Sequence, residues 1–358
     1  MPQPIVVAGA GMAGLVASAR LRDLGRDVVV REKGTRAGGS MLLSSCVMWR
    51  HRDWDDFRRE CPGGDERLQR LVWERLDDAI AWLVARGAPV VWEETGNART
   101  VGKRFDPRGL VEALARDVEL GVDGCTDAVT IVCTGGFAAS DDLVTRHIAP
   151  AAPLRLRANP WSAGDGLRFA LDRGASLTGG MDEFYGRNMP DAPWDETQLV
   201  SLSQLYARYA RIFDQDGNEF FVRDDVSWSE TNVVQATARR REAKAYYLLD
   251  GDALEQRVRD TTVAQMVEAA PPEARVPLED LPFDPPDGTV AAVRVIASIT
   301  HTIGGLHVDE RARVVGVDGL WAAGVDAGGV ATGGYASGLA QALVLGLVAA
   351  EDVAATGV

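Results

Sequence analysis

Cysteine is scarce in this chain. The four present, Cys46, Cys61, Cys125 and Cys133, are nowhere spaced as CxxC or CxxCH, which argues against a cysteine zinc site, a disulfide framework and an attached haem. Positive charge is also short: 38 Lys and Arg face 52 Asp and Glu, a formal charge of −14. A surface that negative repels phosphate backbones, so nucleic acid is not an expected partner. The one basic run, Arg239-Arg240-Arg241 with Lys244, reads as a solvated helix face. There is no internal repeat and no low-complexity tract. The apolar stretch Leu339–Ala350, interrupted by Gln341 and Gly346, falls short of the roughly 20 residues that cross a bilayer. It reads as a buried helix, and no membrane span is expected. No leader precedes the first strand, so a reducing cytoplasm is the expected compartment.

What the chain does have is length and glycine. Its 358 residues, 46% hydrophobic and 25% charged, suit a large core divided over two domains. Ile5–Ala8 is an apolar run that meets the turn Gly9-Ala10-Gly11-Met12-Ala13-Gly14. Leu15–Leu24 follows with helical spacing and stops at Gly25, and a second apolar run, Asp27–Arg31, ends at Glu32. Strand, helix and strand within about thirty residues make a β-α-β unit with a parallel sheet. Each glycine answers a steric demand. Gly9 permits the tight turn, Gly11 lets a pyrophosphate reach the backbone, and Gly14 lets helix and strand pack closely, while the helix N-terminus offers N–H groups to phosphate. Glu32 is placed to accept from an adenosine ribose. This pattern predicts a bound dinucleotide and leaves NAD and FAD open.

Farther along, helical periodicity covers Asp65–Arg86 and again Pro107–Leu120, and a buried strand at Ala128–Cys133 ends in Thr134-Gly135-Gly136. From about Met181 to Val290 the chain turns richer in Pro, Trp, Tyr and charge. The parallel-sheet pattern returns at Ala291–Ile299 and Leu320–Ala323, and a helix from about Ser337 to Glu351 closes the chain. The expected fold is α/β: a Rossmann-like domain from residues 1–180 and 291–358, with a smaller α+β cap, 181–290, inserted into it. The strand Leu320–Ala323 runs into Gly324-Val325-Asp326, where Asp326 can bind a ribityl hydroxyl. The glycine-rich segment Gly328–Gly338 then leads into a helix whose first residues, Gly338 and Leu339, can face the flavin N1–C2=O edge. A nicotinamide has no ribityl chain, so these features select FAD.

Arg36-Ala37-Gly38-Gly39-Ser40, Thr134-Gly135-Gly136-Phe137, Gly164-Asp165-Gly166, His301-Thr302-Ile303-Gly304-Gly305-Leu306, Gly319–Asp326 and Gly333-Gly334-Tyr335 stand here in a characteristic order. With them the chain resembles the fumarate reductase/succinate dehydrogenase flavoprotein superfamily, including its 3-ketosteroid Δ1-dehydrogenases and tricarballylate dehydrogenases. The resemblance implies an FAD domain with a mobile cap, and cofactor contacts from Gly38, Gly39, Ser40, Thr134, Gly135 and Asp165. It also implies hydride transfer between flavin N5 and a carbon near an activating carbonyl, coupled to proton transfer on the neighbouring carbon. His301 and Thr302 would lie near the substrate carbonyl or carboxylate, His301 in a catalytic role, with Gly338 beside the substrate. His307 reads as structural.

Departures from the family sharpen this. Tyr335 stands where fumarate reductases hold an Arg that clamps a carboxylate and where steroid dehydrogenases carry a Tyr that donates to a ketone. A Tyr cannot form the bidentate fork. Phe220-Phe221-Val222-Arg223-Asp224 resembles the family's cap motif, yet counting on to its proton-donor Arg lands near Trp228. A steroid-type enzyme would use a cap Tyr as base. Tyr185, Tyr206, Tyr209 and Tyr246 are available; Tyr185, at the start of the cap, is the candidate, with Arg187 as a substrate contact. Only Gly121–Ala128 stands where relatives carry a longer β-meander, which would open the adenosine side. Ser40-Met41-Leu42 replaces the His of covalent flavin attachment, so FAD is expected to be non-covalent. The expected activity is α,β-dehydrogenation of a neutral, fairly hydrophobic ketone, with electrons passed to an unidentified acceptor. A fumarate- or enoate-type reductase is the alternative, and a flavin-dependent hydroxylase or a non-catalytic flavin-binding paralogue are readings of other classes.

Overall fold

The computed structural model describes residues 4–148, 150, 152 and 154–356. In chain order come β1 (Ile5–Ala8), α1 (Met12–Asp23), β2 (Val28–Glu32), β3 (Val47–His51), α2 (Trp54–Glu60), α3 (Glu66–Ala85), β4 (Val90–Trp92), β5 (Thr100–Phe105), α4 (Pro107–Leu114), β6 (Val118–Leu120), β7 (Val129–Val132) and α5 (Asp141–His147). After these stand β8 (Arg155–Leu156), α6 (Asp165–Leu171), β9 (Phe184–Pro190), β10 (Arg211–Phe213), β11 (Glu219–Phe221), α7 (Thr231–Ala238), β12 (Lys244–Leu249) and α8 (Gly251–Glu255). The chain ends with β13 (Arg257–Val258), β14 (Thr261–Thr262), α9 (Val263–Ala269), β15 (Ala291–Thr302), β16 (Trp321–Ala322) and α10 (Gly338–Thr356). Two compact units result. The first comprises Met1–Ser140, Ala158–Glu183 and His301–Val358, and the second Asp141–Arg157 and Phe184–Thr300. Against the insertion expected at 181–290, the second unit thus runs on to Thr300 and takes in a separate earlier segment.

The first unit is built on a five-stranded parallel sheet in the order β16-β7-β1-β2-β6. All four residues of β1 are buried, as a central strand covered on both faces requires. α1 lies against α10, and a Cβ at Gly346 would come within 2.8 Å of the Ala13 carbonyl oxygen. A glycine there lets the two helices approach at backbone distance. A second, antiparallel sheet, β3-β5-β4, occupies a stretch on which the sequence pattern was silent. α3 begins one residue inside its expected start because Asp65 is its cap, accepting from the amides of Arg67 and Leu68.

Three expectations need correction. The helix expected through Leu120 ends at Leu114: Ala115 is extended, Asp117 takes φ +50°, and Val118–Leu120 pairs with β2 instead. Sheet hydrogen bonds at the open edge of β2 outcompete another helical turn. The apolar run from Ala291 does not rejoin the parallel sheet. As β15 it pairs antiparallel with β12 and parallel with β8 in the second unit's six-stranded sheet, β11-β10-β12-β15-β8 with β9 also on β15. A fully apolar run announces a central strand but not which sheet holds it. The basic run is not one helix face: Arg239 caps the end of α7, Arg241 pairs with Asp216, and Lys244, the first residue of β12, lies between Asp191 and Glu242.

The closing helix is longer than its apolar run. α10 has 19 residues and is long and apolar enough to cross a membrane, but 67% of its apolar window is buried inside the protein. Its polar end is fastened by Arg20 and Arg75 to Glu351 and by Arg313 and the Trp321 indole to Asp352. Replacing Gly346 by Val should force α1 and α10 apart at a cost of about 1–3 kcal/mol, read as a lower urea midpoint with the far-UV spectrum retained.

Candidate functional site

The glycine turn is fixed by contact at two positions and left open at the third. A Cβ at Gly9 (φ +101°) would sit 2.1 Å from the Cys133 carbonyl oxygen, and one at Gly14 would sit 1.9 Å from that of Gly9. Around Gly11 nothing lies within 4 Å. Gly11 caps α1 without a side-chain bond, and the first turn, which includes Ala13, holds no acid, which leaves its N–H groups and positive dipole end open to an anion. Gly38 (φ +109°) donates to the Ala10 carbonyl at 2.7 Å, and a Cβ on Gly39 would lie 3.2 Å from the Gly11 Cα. The Arg36–Ser40 motif therefore lines the same opening. Ser40 Oγ accepts from the Asn159 amide at 3.1 Å. These residues fit the diphosphate of FAD.

Glu32 stands at the end of β2, buried, and already accepts from the backbone of Ala10 (2.8 Å) and Gly34 (2.7 Å). It braces the turn, and a ribose would add to a carboxylate that is already oriented. Next to it, Lys33 pairs with Asp165 at 2.7 Å, in the first turn of α6.

Asp326 is the most heavily engaged site residue. Its carboxylate accepts from Thr134 Oγ1 at 2.9 and 3.1 Å, from the Gly135 amide at 2.9 Å and from the Gly136 amide at 3.3 Å. Burial pushes its carboxyl above the usual range, against the pull of these donors. The sequence suggested a ribityl ligand; in the structure the carboxylate ties the loop after β7 to the turn after β16. Gly324 (φ +69°) lies against Ala13, where a Cβ would meet the alanine methyl at 3.0 Å.

His301, Thr302 and the start of α10 come together. His301 Nδ1 lies 3.1 Å from the Thr302 carbonyl, which can only accept, so Nδ1 carries the proton and Nε2 the lone pair. Burial lowers the pKa of the ring, keeping it neutral near pH 7. A Cβ on Gly338 would approach Nε2 to 3.1 Å, so Gly338 lets α10 begin against the imidazole, with Leu339 next in its first turn. Thr302 Oγ1 is buried with no hydrogen-bond partner, and a Cβ on Gly136 would be 2.8 Å from it. A buried hydroxyl without a partner is what a ligand oxygen or nitrogen would complete.

Tyr335 is held from behind. Its amide donates to Cys61 Sγ, its carbonyl accepts from His51 Nε2 at 3.3 Å, and its ring packs on Trp49 with centroids 5.2 Å apart. Gln69 Nε2 donates to the carbonyls of Val330 (2.8 Å) and Cys61 (2.9 Å), fastening the same glycine-rich segment to α3. Sequence reasoning missed Gln69, His51 and Cys61. A polar Gln on the apolar stripe of α3 was the available signal.

Tyr185 and Arg187 lie in the second unit, on one side of β9, with the guanidinium 5.0 Å from the ring centroid. Arg187 donates to the Ser229 carbonyl. Next to Ser229 stands Glu230, which the sequence gave no reason to single out. It is 7% exposed, takes φ +56°, and accepts from the Ala207 amide at 3.2 Å. Burial raises its carboxyl to about 7 in spite of Arg187 and the Ala207 amide. Arg223 of the cap motif reaches Asp250 at 3.5 Å.

The FAD binding domain family matches residues 4–120 and 121–339, the two stretches meeting where β6 gives way to the short Gly121–Ala128 connection. A probable fumarate reductase of Shewanella frigidimarina is 23% identical over 98% of this chain and 74% of its own length. Among solved structures, the 3-ketosteroid Δ1-dehydrogenase of Sterolibacterium denitrificans, in complex with 1,4-androstadiene-3,17-dione, superimposes with a TM-score of 0.72 at 16% identity, covering 98% of this chain and 99% of that one. The open conformation of a flavocytochrome c3 fumarate reductase gives 0.69 at 20% identity over 98% and 78%.

Asp326→Ala would strand one buried donor, the Gly136 amide, and two half-buried ones, Thr134 Oγ1 and the Gly135 amide, the buried one alone costing about 1–3 kcal/mol. The expected result is a large fall in the urea midpoint together with loss of bound flavin, with Asp326→Asn intermediate. Glu230 gives a pH signature. The folded protein keeps its proton to about pH 7 while an unfolded chain loses it near the ordinary 4.5, so its contribution is most favourable below 4.5 and is lost as pH rises through 7. Wild type should therefore lose stability relative to Glu230→Gln over that interval, at up to about 1.4 kcal/mol per pH unit, measured by urea unfolding at a series of pH values.

Proposed function

As a member of the FAD binding domain family the chain is an FAD-dependent oxidoreductase, and we propose that it dehydrogenates the carbon–carbon bond beside the carbonyl of a neutral, fairly hydrophobic ketone. The observation that carries this reading is Tyr335: a neutral donor, pinned through its own backbone by Cys61 and His51 and through its ring by Trp49. The segment around it, residues 328–338, has no Arg or Lys, whereas a dicarboxylate needs a cation. Bound FAD supplies a non-covalently held carrier that takes up a hydride.

The chain's own residues supply the remainder. Gly9, Gly11, Gly14, Gly38 and Gly39 would let backbone N–H groups reach a diphosphate, and Asp326 fixes the Thr134–Gly136 loop. The positive end of α10, at Gly338 and Leu339, would favour negative charge on a flavin held there. The Tyr335 hydroxyl donates to the ketone oxygen as enolate charge grows, and neutral His301, with its proton on Nδ1, presents Nε2 to the same region. Tyr185 removes the proton from the carbon next to the carbonyl, and Arg187 provides positive charge beside it. The first unit, with the glycine turn and Asp326, is the one that would hold the cofactor. A fumarate-type reductase is the second reading, supported by the likeness to the Shewanella frigidimarina protein.

The test is to add a 3-ketosteroid with a saturated bond beside its ketone to the oxidised enzyme, and separately fumarate or an enone to the photoreduced enzyme. Flavin bleaching by the ketosteroid is the expected result, with Tyr335→Phe slower by roughly 100-fold. Reoxidation by fumarate alone would refute the ketone reading. Acid precipitation should leave the flavin in the supernatant.

A further inference from the structure

The loop that delivers Tyr335 hinges on a single peptide. The Gly334 amide donates to the Ala331 carbonyl at 3.0 Å, so Thr332 and Gly333 are the central residues of a β-turn. Gly333 takes φ +92° while Thr332 has no positive φ, which makes the turn type II. Types I and II differ by a flip of the peptide between the two central residues, and a glycine in the second place accepts either. Local sterics therefore leave the turn type open, and with it the direction in which the chain enters Tyr335. Whatever decides it has to hold that peptide from outside.

Both polar groups of the peptide are held. The Thr332 carbonyl accepts from the Gly63 amide at 3.1 Å, and the Gly333 amide donates to Glu183 Oε2 at 2.7 Å. On the Gly63 side the turn rests on backbone: a Cβ on Gly334 would lie 1.8 Å from the Glu60 carbonyl oxygen, and one on Gly333 2.9 Å from Pro62 Cδ. On the other side the hold is a half-buried carboxylate making a charge-assisted bond. Glu183 is itself fixed through its main chain. Its amide donates to the Gly180 carbonyl at 3.0 Å, its carbonyl accepts from the Ile303 amide at 3.1 Å, and the Gly180 carbonyl also takes the Gly304 amide at 2.9 Å. One residue thus joins the His301–Gly305 motif to the turn before Tyr335. It is also the last residue of the first unit before the chain passes into β9.

We propose that Glu183 is a positioning residue: its carboxylate selects the type II form of the Ala331–Gly334 turn and thereby sets where Tyr335 stands relative to the His301–Thr302 pair. This rests on the reading of Tyr335 as the donor to the ketone. The two groups that reading places at the substrate oxygen, Tyr335 and His301, then take their spacing from one residue bonded to both segments. The importance of the bond lies in geometry rather than stability, since misplacing a reacting group by about 1 Å can cost about 100-fold in rate.

The holoenzyme is to be assayed with the ketosteroid and an artificial acceptor. Glu183→Ala should lower kcat by roughly 10–100-fold with KM little changed, the mark of a contact used only in the transition state. Glu183→Gln, whose amide oxygen still accepts from Gly333, should restore most of that rate, and Glu183→Asp, one methylene too short, should not. In a Tyr335→Phe background Glu183→Ala should add little further loss, because both changes act on one hydroxyl. Independently of turnover, fluorine-19 NMR of protein labelled with 3-fluorotyrosine should show the Tyr335 signal, assigned by its absence from Tyr335→Phe, displaced or split in Glu183→Ala and Glu183→Asp and returned in Glu183→Gln. An unmoved Tyr335 signal in both the Ala and Asp variants, or rate losses of Glu183→Ala and Tyr335→Phe that multiply in the double variant, would each overturn the inference. A wild-type rate in Tyr335→Phe, with the Tyr335 signal of Glu183→Ala still displaced, would instead remove the reading beneath it.

Discussion

The first unit depends on one buried carboxylate. Asp326 gathers the Thr134 hydroxyl and the Gly135 and Gly136 amides, and so joins the ends of two neighbouring parallel strands that no covalent connection shorter than a long crossover could link. Everything at the opening above the sheet takes its position from that joint. Gly136 is set against Thr302, Gly324 against Ala13, and Gln341 in α10 donates to the carbonyls of Gly324 and Ala327 on either side of Asp326. A buried charge is tolerable because every donor around it is used. With the loop fixed from within, the backbone can present an open surface outward.

Close approach is the second constraint, and it explains where glycine is indispensable. Gly9 and Gly14 are excluded from carrying a side chain by contacts with backbone, whereas Gly11 has space around it. The distinction separates glycines that build the turn from the one that leaves room for a guest. The same logic places Gly338 against His301, where the absence of a Cβ lets the positive end of a 19-residue helix begin beside a neutral imidazole.

Electrostatically the two units differ. Around Tyr335 the chain offers aromatic packing, and the backbone of the loop is gripped by Cys61, His51 and Gln69 and by the Glu183 carboxylate, which accepts from the Gly333 amide. The second unit concentrates charge instead, with Arg187, Arg208 and Arg259 in the field of one buried carboxyl. Stability alone would not retain Glu230, because a well-packed apolar residue in its place would avoid the desolvation of a carboxyl group.

The sequence alone determined the parts that obey local rules. The β-α-β unit around Gly9–Gly14, the long helix after Asp65, the strand before Thr134 and the closing helix were all legible, because periodicity and glycine sterics act within a few residues. What it could not determine were outcomes of competition between distant segments. Val118–Leu120 left its helix for the edge of β2, the run from Ala291 joined β12 rather than the parallel sheet, and β3, β4 and β5 formed a sheet from stretches with no clear alternation. The tertiary structure likewise decided that Asp326 and Glu32 spend their oxygens on backbone amides, and that Glu230 is buried beside Arg187. Hydrogen-bond partners and burial are properties of what lies across the fold, and no residue's neighbours in sequence record them.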